Sequence, residues 1–268
     1  MLEPIQYLLG AGSGALVGFV LGLVGGGGSI LAVPLMVYLV GVRSPHIAIG
    51  TSALAVAANA AMGLFSHARA GHVKWRCAAI YAAAGIGGAF AGSTAGKAFD
   101  GQKLLFLFAL VMVAVGAMML RGRGRSGNLD AQCTRENAPK VVSFGFGTGI
   151  FSGFFGIGGG FLIVPGLVAS TGMPMLNAVG SSLVAVTAFG LTTAANYAFS
   201  GLIDWPLAGA FVAGGALGGV LGTMAAKRLS ATTGRLTTVF AALIFVVAAY
   251  MLWKSGTALG LWDGSARR

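Results

Sequence analysis

VGGGGSILAVP, residues 24–34, is the stretch on which the reading of this chain turns. Four glycines in a row separate two apolar runs. Glycine is about 1 kcal/mol worse than alanine inside a helix, so a helix arriving at Val24 is expected to break there. FGIGGGFLIVP, residues 155–165, repeats the pattern. In the short run after each break, about twelve residues long, an α-helix would cover about 18 Å, less than a hydrocarbon core of about 30 Å.

The surroundings of the breaks are those of a membrane protein. The chain has 268 residues, 56% hydrophobic and 9% charged, against roughly 25% charged in soluble domains. Apolar runs of spanning length cover Ile47–Phe65, Cys77–Gly96, Leu104–Leu120, Met175–Tyr197, Pro206–Ala226 and Leu236–Trp253. The first residues, MLEPIQ, carry an acid and no base, which reads as a first membrane helix rather than a cleaved signal. The net charge of +11 comes from bases at span ends and in one loop. It reads as topology signal and lipid-headgroup contact, not as a nucleic-acid interface. The two cysteines, Cys77 and Cys133, have no motif spacing and imply neither a disulfide framework nor a metal site.

The breaks occur twice because the unit occurs twice. At an offset of 131, Gly14, Gly18, Gly22, Gly25, Gly27, Gly28 and Pro34 fall on Gly145, Gly149, Gly153, Gly156, Gly158, Gly159 and Pro165. At 130, Gly50, Ser52, Gly71, Trp75 and Lys97 fall on Gly180, Ser182, Gly201, Trp205 and Lys227. The expected organisation is a first membrane repeat over residues 1–120, a polar linker over 121–138, a second repeat over 139–254 and a tail over 255–268. Each repeat holds a first helix (about Pro4–Leu23; about Ala138–Phe155), a glycine break, a short helix (Ser29–Val40; Gly160–Thr171) and three longer spans. The fold class is all-α and polytopic.

The broken element can cross once as a kinked helix, which gives parallel repeats, or turn at the glycines and leave on the side it entered, which gives inverted ones. Either way eleven Lys and Arg fall on one side and six on the other. Only the hairpin places the base-free, Glu3-bearing N-terminus outside, as the positive-inside rule prefers. Inverted repeats, with the linker cytoplasmic, are therefore the expectation.

A glycine turn at membrane depth leaves backbone groups unpaired, and these survive only beside protein or a water-filled cavity. A helix beginning after the break aims free N–H groups and a positive dipole end at it, a setting for an anion. The alternative is a glycine turn that only packs. The candidate substrate-binding residues are Gly25, Gly26, Gly27, Gly28 and Ser29 in the first break and Gly156, Gly158, Gly159 and Gly160 in the second. Thr51, Ser52, Ser181 and Ser182 open the following spans and can offer hydroxyls, or serve as helix–helix hydrogen bonds. Asn59 and Asn196 are late-span amides, either packing glue or cavity lining. His67, in FSHARAGH, is a candidate to meet an anion or a proton, or an ordinary interfacial histidine. The two breaks are expected to meet near mid-membrane. The ladders Gly10-Gly14-Gly18-Gly22, Gly88-Gly92-Gly96 and Gly214-Gly218-Gly222 read as helix packing. Lys97 and Lys227 are expected to snorkel, and Trp75 and Trp205 to sit in an aromatic belt.

All six carboxylates, Glu3, Asp100, Asp130, Glu136, Asp204 and Asp263, lie in loops or near span ends. A membrane carboxylate relay is not expected. Neither glycine run continues as a phosphate loop or lies in a βαβ setting. No catalytic set or metal spacing is visible, so the chain reads as a non-enzyme with no cofactor.

LGLVGGGGSILAVPLMVYL followed by IGTSALAVAANA, and SGFFGIGGGFLIVPGLV followed by AVGSSLVAVTA, resemble the sulfite exporter TauE/SafE family, also called the 4-toluene sulfonate uptake permease family. The resemblance covers nearly the whole chain apart from the linker and the tail. It implies a bacterial inner-membrane transporter for small organosulfur anions such as sulfite, sulfoacetate or other sulfonates. It carries over to the two glycine turns and to Thr51, Ser52, Ser181 and Ser182, and to no substrate-selecting residue. Gly26 stands where the second turn has Ile157, so the two turns are unequal. The partners expected are a small anion and the lipid bilayer, and the glycine ladders permit a homodimer. Export is favoured, since one negative charge leaving down 100 mV gains about 2.3 kcal/mol. A membrane scaffold and an anion channel are the competing readings.

Overall fold

The computed structural model describes residues 3–121, 133, 136–157, 160–229 and 233–260. Among them, all regular structure is helical. α1 covers Pro4–Val24. A 3-10 segment follows at Gly25–Leu31, then a three-residue turn, α2, at Ala32–Pro34 and a π-turn at Leu35–Leu39. α3 (Pro45–Arg69), α4 (Trp75–Ala98) and α5 (Gly101–Arg121) complete the first half. The second holds α6 (Ala138–Phe155), α7 (Gly160–Thr171), α8 (Met175–Ala198), α9 (Trp205–Leu229) and α10 (Thr233–Ala258). Five stretches among the described residues are long and apolar enough to cross a membrane: Pro4–Leu23, Pro45–Arg69, Trp75–Ala98, Met175–Ala198 and Trp205–Ala225.

Local chemistry sets several of these boundaries. Pro45 occupies the start of α3 and Pro139 that of α6, where a missing N–H costs nothing. Asp100 caps α5, accepting from the backbone N–H of Gln102 and Lys103 at 3.1 and 3.0 Å. Asp204 does the same for α9 through Leu207 at 3.0 Å. The span-end acids thus have structural partners. α6 ends at Gly156, which is left-handed at φ 67°, a conformation any side chain would strain.

The expected short helix at Ser29–Val40 needs correcting. α7 is a continuous α-helix over the expected residues, with Pro165 inside it. Its counterpart is 3-10, then a single turn, then π. Four consecutive glycines give the chain no side-chain preference for α-geometry, and Pro34 withholds a further N–H.

The glycine ladders pack helices of one half onto helices of the other. A Cβ at Gly14, Gly18 or Gly22 would collide with the backbone of Phe211, Gly215 or Gly219 of α9; Gly214, Gly218 and Gly222 meet the carbonyls of Ala11, Ala15 and Phe19 in return. The same contact recurs with the halves exchanged. Gly88, Gly92 and Gly96 of α4 meet the carbonyls of Phe146, Ile150 and Phe154 of α6. Residue numbers climb together in both pairs, so α1 runs parallel to α9 and α4 to α6. Close backbone approach of this kind needs small residues, and it replaces the hydrophobic drive that lipid removes. These ladder faces lie inside the chain, so they give no support to a homodimer.

α3 and α8 run in opposite directions. Gly50 lies against Tyr197 and Leu202, Gly190 against Ala53 and Ala57, and Gly63 against Leu183. Paired hydrogen bonds close the two ends of the bundle. At one end, which carries the α3–α4 turn and the start of α8, the backbone N–H of Lys74 donates to Ser181 Oγ at 2.9 Å. At the other, the N–H of Asp204 donates to Thr51 Oγ1 at 3.0 Å.

A second correction concerns the cysteines. Cys77, in the first turn of α4, is bonded to Cys133 of the linker, with Cα atoms 5.3 Å apart and 56 residues between them. Both are buried. Pairing over such a separation depends on tertiary proximity, which motif spacing cannot reveal.

Candidate functional site

The two broken elements touch: the 3-10 segment packs on α7, and both lie against α8. Gly28 is held against the backbone of Val20 and Leu21, so the chain folds back on α1 immediately after the break. Gly156 is held against Ile49 of α3. Ser52 Oγ donates to the Ile49 carbonyl at 3.0 Å and approaches the Gly156 carbonyl at 3.5 Å, linking the first half to the second break. Ser29 and Gly160 are buried. Gly158 and Gly159 lie outside the described residues. α7 begins at Gly160, and the N–H groups of its first turn have no partner within the helix.

Asn59 is the most informative side chain. It is 3% exposed, and neither its amide nitrogen nor its amide oxygen has a hydrogen-bond partner. It abuts Gly215 of α9, which has no side chain to meet it. Leaving a buried amide unpaired costs about 1–3 kcal/mol for each orphaned group, so such a group calls for an explanation. The hydroxyls of Ser13, Ser152, Thr193 and Tyr197 are orphaned as well. They place unpaired polar groups on α1, α6 and α8 in addition to Asn59 on α3.

Other candidates are occupied. Thr51 and Ser181 accept the loop N–H groups described above. Ser182 Oγ donates to the Val179 carbonyl at 2.7 Å. The Asn196 amide donates to Ser93 Oγ at 2.7 Å and Thr94 Oγ1 at 3.0 Å. Lys97 corrects its sequence reading. Instead of reaching for headgroups, its Nζ donates to Asn196 Oδ1, the Asn196 carbonyl and Ser200 Oγ at 2.8–3.0 Å. The acceptors at the end of α8 and in the turn after it lie within reach of α4, a proximity that the sequence conceals. Asn196 is therefore part of a tie between the halves. The Lys227 side chain is outside the description. Trp75 and Trp205 are exposed, as an interfacial belt requires.

His67 is half-buried, with its ring 5.7 Å from that of His72 and its Nδ1 unpartnered. Arg69 does not join it. Its guanidinium stacks 4.1 Å from the centre of the Phe65 ring. A Cβ at Gly63 would touch Leu21, so His67, one turn further along α3, lies toward the level where α1 gives way to its break.

The sequence reading missed one cavity of about 480 Å³, lined by Val37, Tyr38, Val42, Arg43, Gln102 and Lys254 among others. Its residues come from three separate segments of the chain, 37–43, 102 and 254–258, whose meeting the sequence does not show. Tyr38 at its wall shares a 3.0 Å hydrogen bond with buried Ser255. Among the described residues no cluster of histidine, cysteine and carboxylates could hold a metal.

The profile of the sulfite exporter TauE/SafE family matches residues 10–251. The chain belongs to this family of membrane transporters. A "Probable membrane transporter protein" of Xylella fastidiosa (strain 9a5c) is 54% identical over 249 residues, covering 92% of this chain and 95% of the relative. "Probable membrane transporter protein YunE" of Bacillus subtilis (strain 168) is 25% identical over 241 residues, covering 82% and 88%. No solved structure matches this TauE/SafE chain. The profile spans both breaks, so both halves fall within the match.

Proposed function

We propose that this TauE/SafE chain is a secondary transporter that moves small organosulfur anions, sulfite, sulfoacetate or other sulfonates, out across the bacterial inner membrane. The observation that carries the reading is the contact between the two glycine-broken elements, with Ser52 on the Gly156 carbonyl and the Asn59 amide buried and unpaired. N–H groups without intrahelical partners at the start of α7 suit an oxyanion, and the neutral Asn59 amide lets it leave again. The substrate site comprises Gly25–Gly28 and Ser29, Gly156 and Gly158–Gly160, with Asn59, while Ser52, whose hydroxyl donates to the Ile49 carbonyl, holds the second break in place. His67 serves as an approach or proton group at the first break.

The halves are inverted repeats. Opposed α3 and α8, and parallel α1 and α9, support this arrangement, because α1 and α3 then run the same way and the broken element returns between them. The linker end, with eleven of the seventeen bases, faces the cytosol. Export needs no coupling ion when the cell interior is negative, and no carboxylate sits mid-span to bind one. Proteoliposomes loaded with sulfite or sulfoacetate, given an outward-driving potential, should show saturable efflux. No flux above empty liposomes would sink the reading for those substrates, and flux that fails to saturate would favour a channel.

A further inference from the structure

We infer that Cys77 and Cys133 form a reversible oxidation site on the cytosolic face, a redox clasp that ties the linker to α4. The inference rests on the cytosolic placement of the linker end proposed above. Disulfides belong to oxidising compartments, and cytosolic ones are usually transient and redox-sensing. This pair lies at the end of the bundle that carries the α3–α4 turn, with Arg69, Lys74 and Arg76, the end of α5, with Arg121, and the start of α6, with Lys140; the sequence between α5 and α6 adds Arg123, Arg125 and Arg135. Such a concentration of bases in short segments marks a cytosolic face. A bond in that position is one that the cytosol opens and an oxidant closes.

The chemistry of Cys77 suits it to begin the exchange. It lies in the first turn of α4, next to Arg76 and three residues from Lys74. A helix N-terminus and neighbouring cations favour the thiolate, the reactive form. The Cys77 thiolate attacks a low-molecular-weight disulfide, releasing one thiolate that takes a proton and leaving a mixed disulfide. The Cys133 thiol then loses its proton and displaces the second thiol. The two cysteines together lose two protons and two electrons, and the small disulfide gains them and departs as two thiols. Once joined, both cysteines are buried, which shields the closed bond.

The position of the clasp gives it a consequence. Cys133 lies just before α6, and Cys77 begins α4, whose glycine face packs on α6. α4 belongs to the first half and α6 to the second. Closing the bond therefore adds a covalent tie across the contact along which the halves must shift if they move relative to one another, and transport slows.

The test uses the intact protein in cells and in proteoliposomes. Maleimide-polymer tagging after denaturation of acid-quenched, unstressed cells should add two tags, one for each cysteine of the chain. After oxidised glutathione or diamide treatment it should add none. In proteoliposomes the oxidised protein should carry sulfite more slowly than the reduced protein, and Cys77→Ser and Cys133→Ser variants should not respond to oxidant. Wild-type protein compared in its two states needs no variant to fold. Blocked thiols in unstressed cells would overturn the proposal, as would thiols that stay open after oxidant, or equal flux in both states. Ala70→Cys, labelled in a background lacking both native cysteines, reads the placement separately. Labelling from outside removes the cytosolic assignment, whereas labelling from inside with an unresponsive pair removes the clasp alone. Absence of sulfite flux in either state counts against the transport reading and leaves the thiol assay standing.

Discussion

Asn59 and Gly218 are both buried side-chain positions on packed helices, yet physics assigns them opposite sensitivities. A Cβ at Gly218 would strike the Ala15 carbonyl, and backbone cannot yield as a flexible side chain can. Gly218→Val should lower stability by about 1–3 kcal/mol or more through overpacking, read as a drop in melting temperature in detergent. Asn59→Leu replaces an unpaired amide with an apolar group of similar size, and removal of an orphaned polar group is neutral or stabilising. It should leave the melting temperature unchanged or raised while flux falls. Lost stability with unchanged flux would make Asn59 packing glue and return weight to the scaffold reading. Lys97 stands between the two. Lys97→Met removes three donated hydrogen bonds, and a charged donor is worth about 1.5–3 kcal/mol where it is buried. Lys97 is only half-buried, so a loss at or below the lower figure is expected, measured by thermal unfolding.

The two broken elements share one sequence pattern and differ in geometry. α7 is a regular helix with its own positive end, while the first element runs through 3-10 and π-turns. A helix dipole requires aligned peptide units, so the proposed anion site draws on α7 more than on the first element. Gly156→Ala tests the turn that sets the α7 approach. Alanine must take a left-handed backbone and meet Ile49, at a cost of about 1–3 kcal/mol. Flux in the surviving folded fraction should fall, measured per folded protein by monodisperse peak area. Equal flux per folded molecule would show that the turn only packs.

Across the whole molecule, the exchange of partners between halves matters most. Each half's first helix packs on the other half's fourth, so neither half holds its own ladder contacts. Ala70 and Ser200 occupy equivalent places in the two halves at an offset of 130. In a cysteine-free background, Ala70→Cys and Ser200→Cys should be labelled by an impermeant maleimide from opposite faces. Labelling from one face would establish parallel repeats.

Much of this was legible in the chain. Composition excluded a soluble fold, because a sequence with so few charges cannot cover a water-facing surface. The offsets of 131 and 130 align glycines, proline, tryptophan and lysine of the two halves. The i, i+4 glycines announced close packing, since that spacing puts them on one helix face. The end of regular α-helix at the first run was legible because glycine disfavours α-geometry. What the sequence could not say was which surfaces meet. That Gly14 faces Phe211, that Lys97 turns to Asn196, that Cys77 bonds Cys133 and that Asn59 is left without a partner are all contacts between residues far apart in the chain. Local propensity and periodicity act over one or two turns of helix. Such pairings are decided by the packing of the whole bundle, and only the tertiary structure contains it.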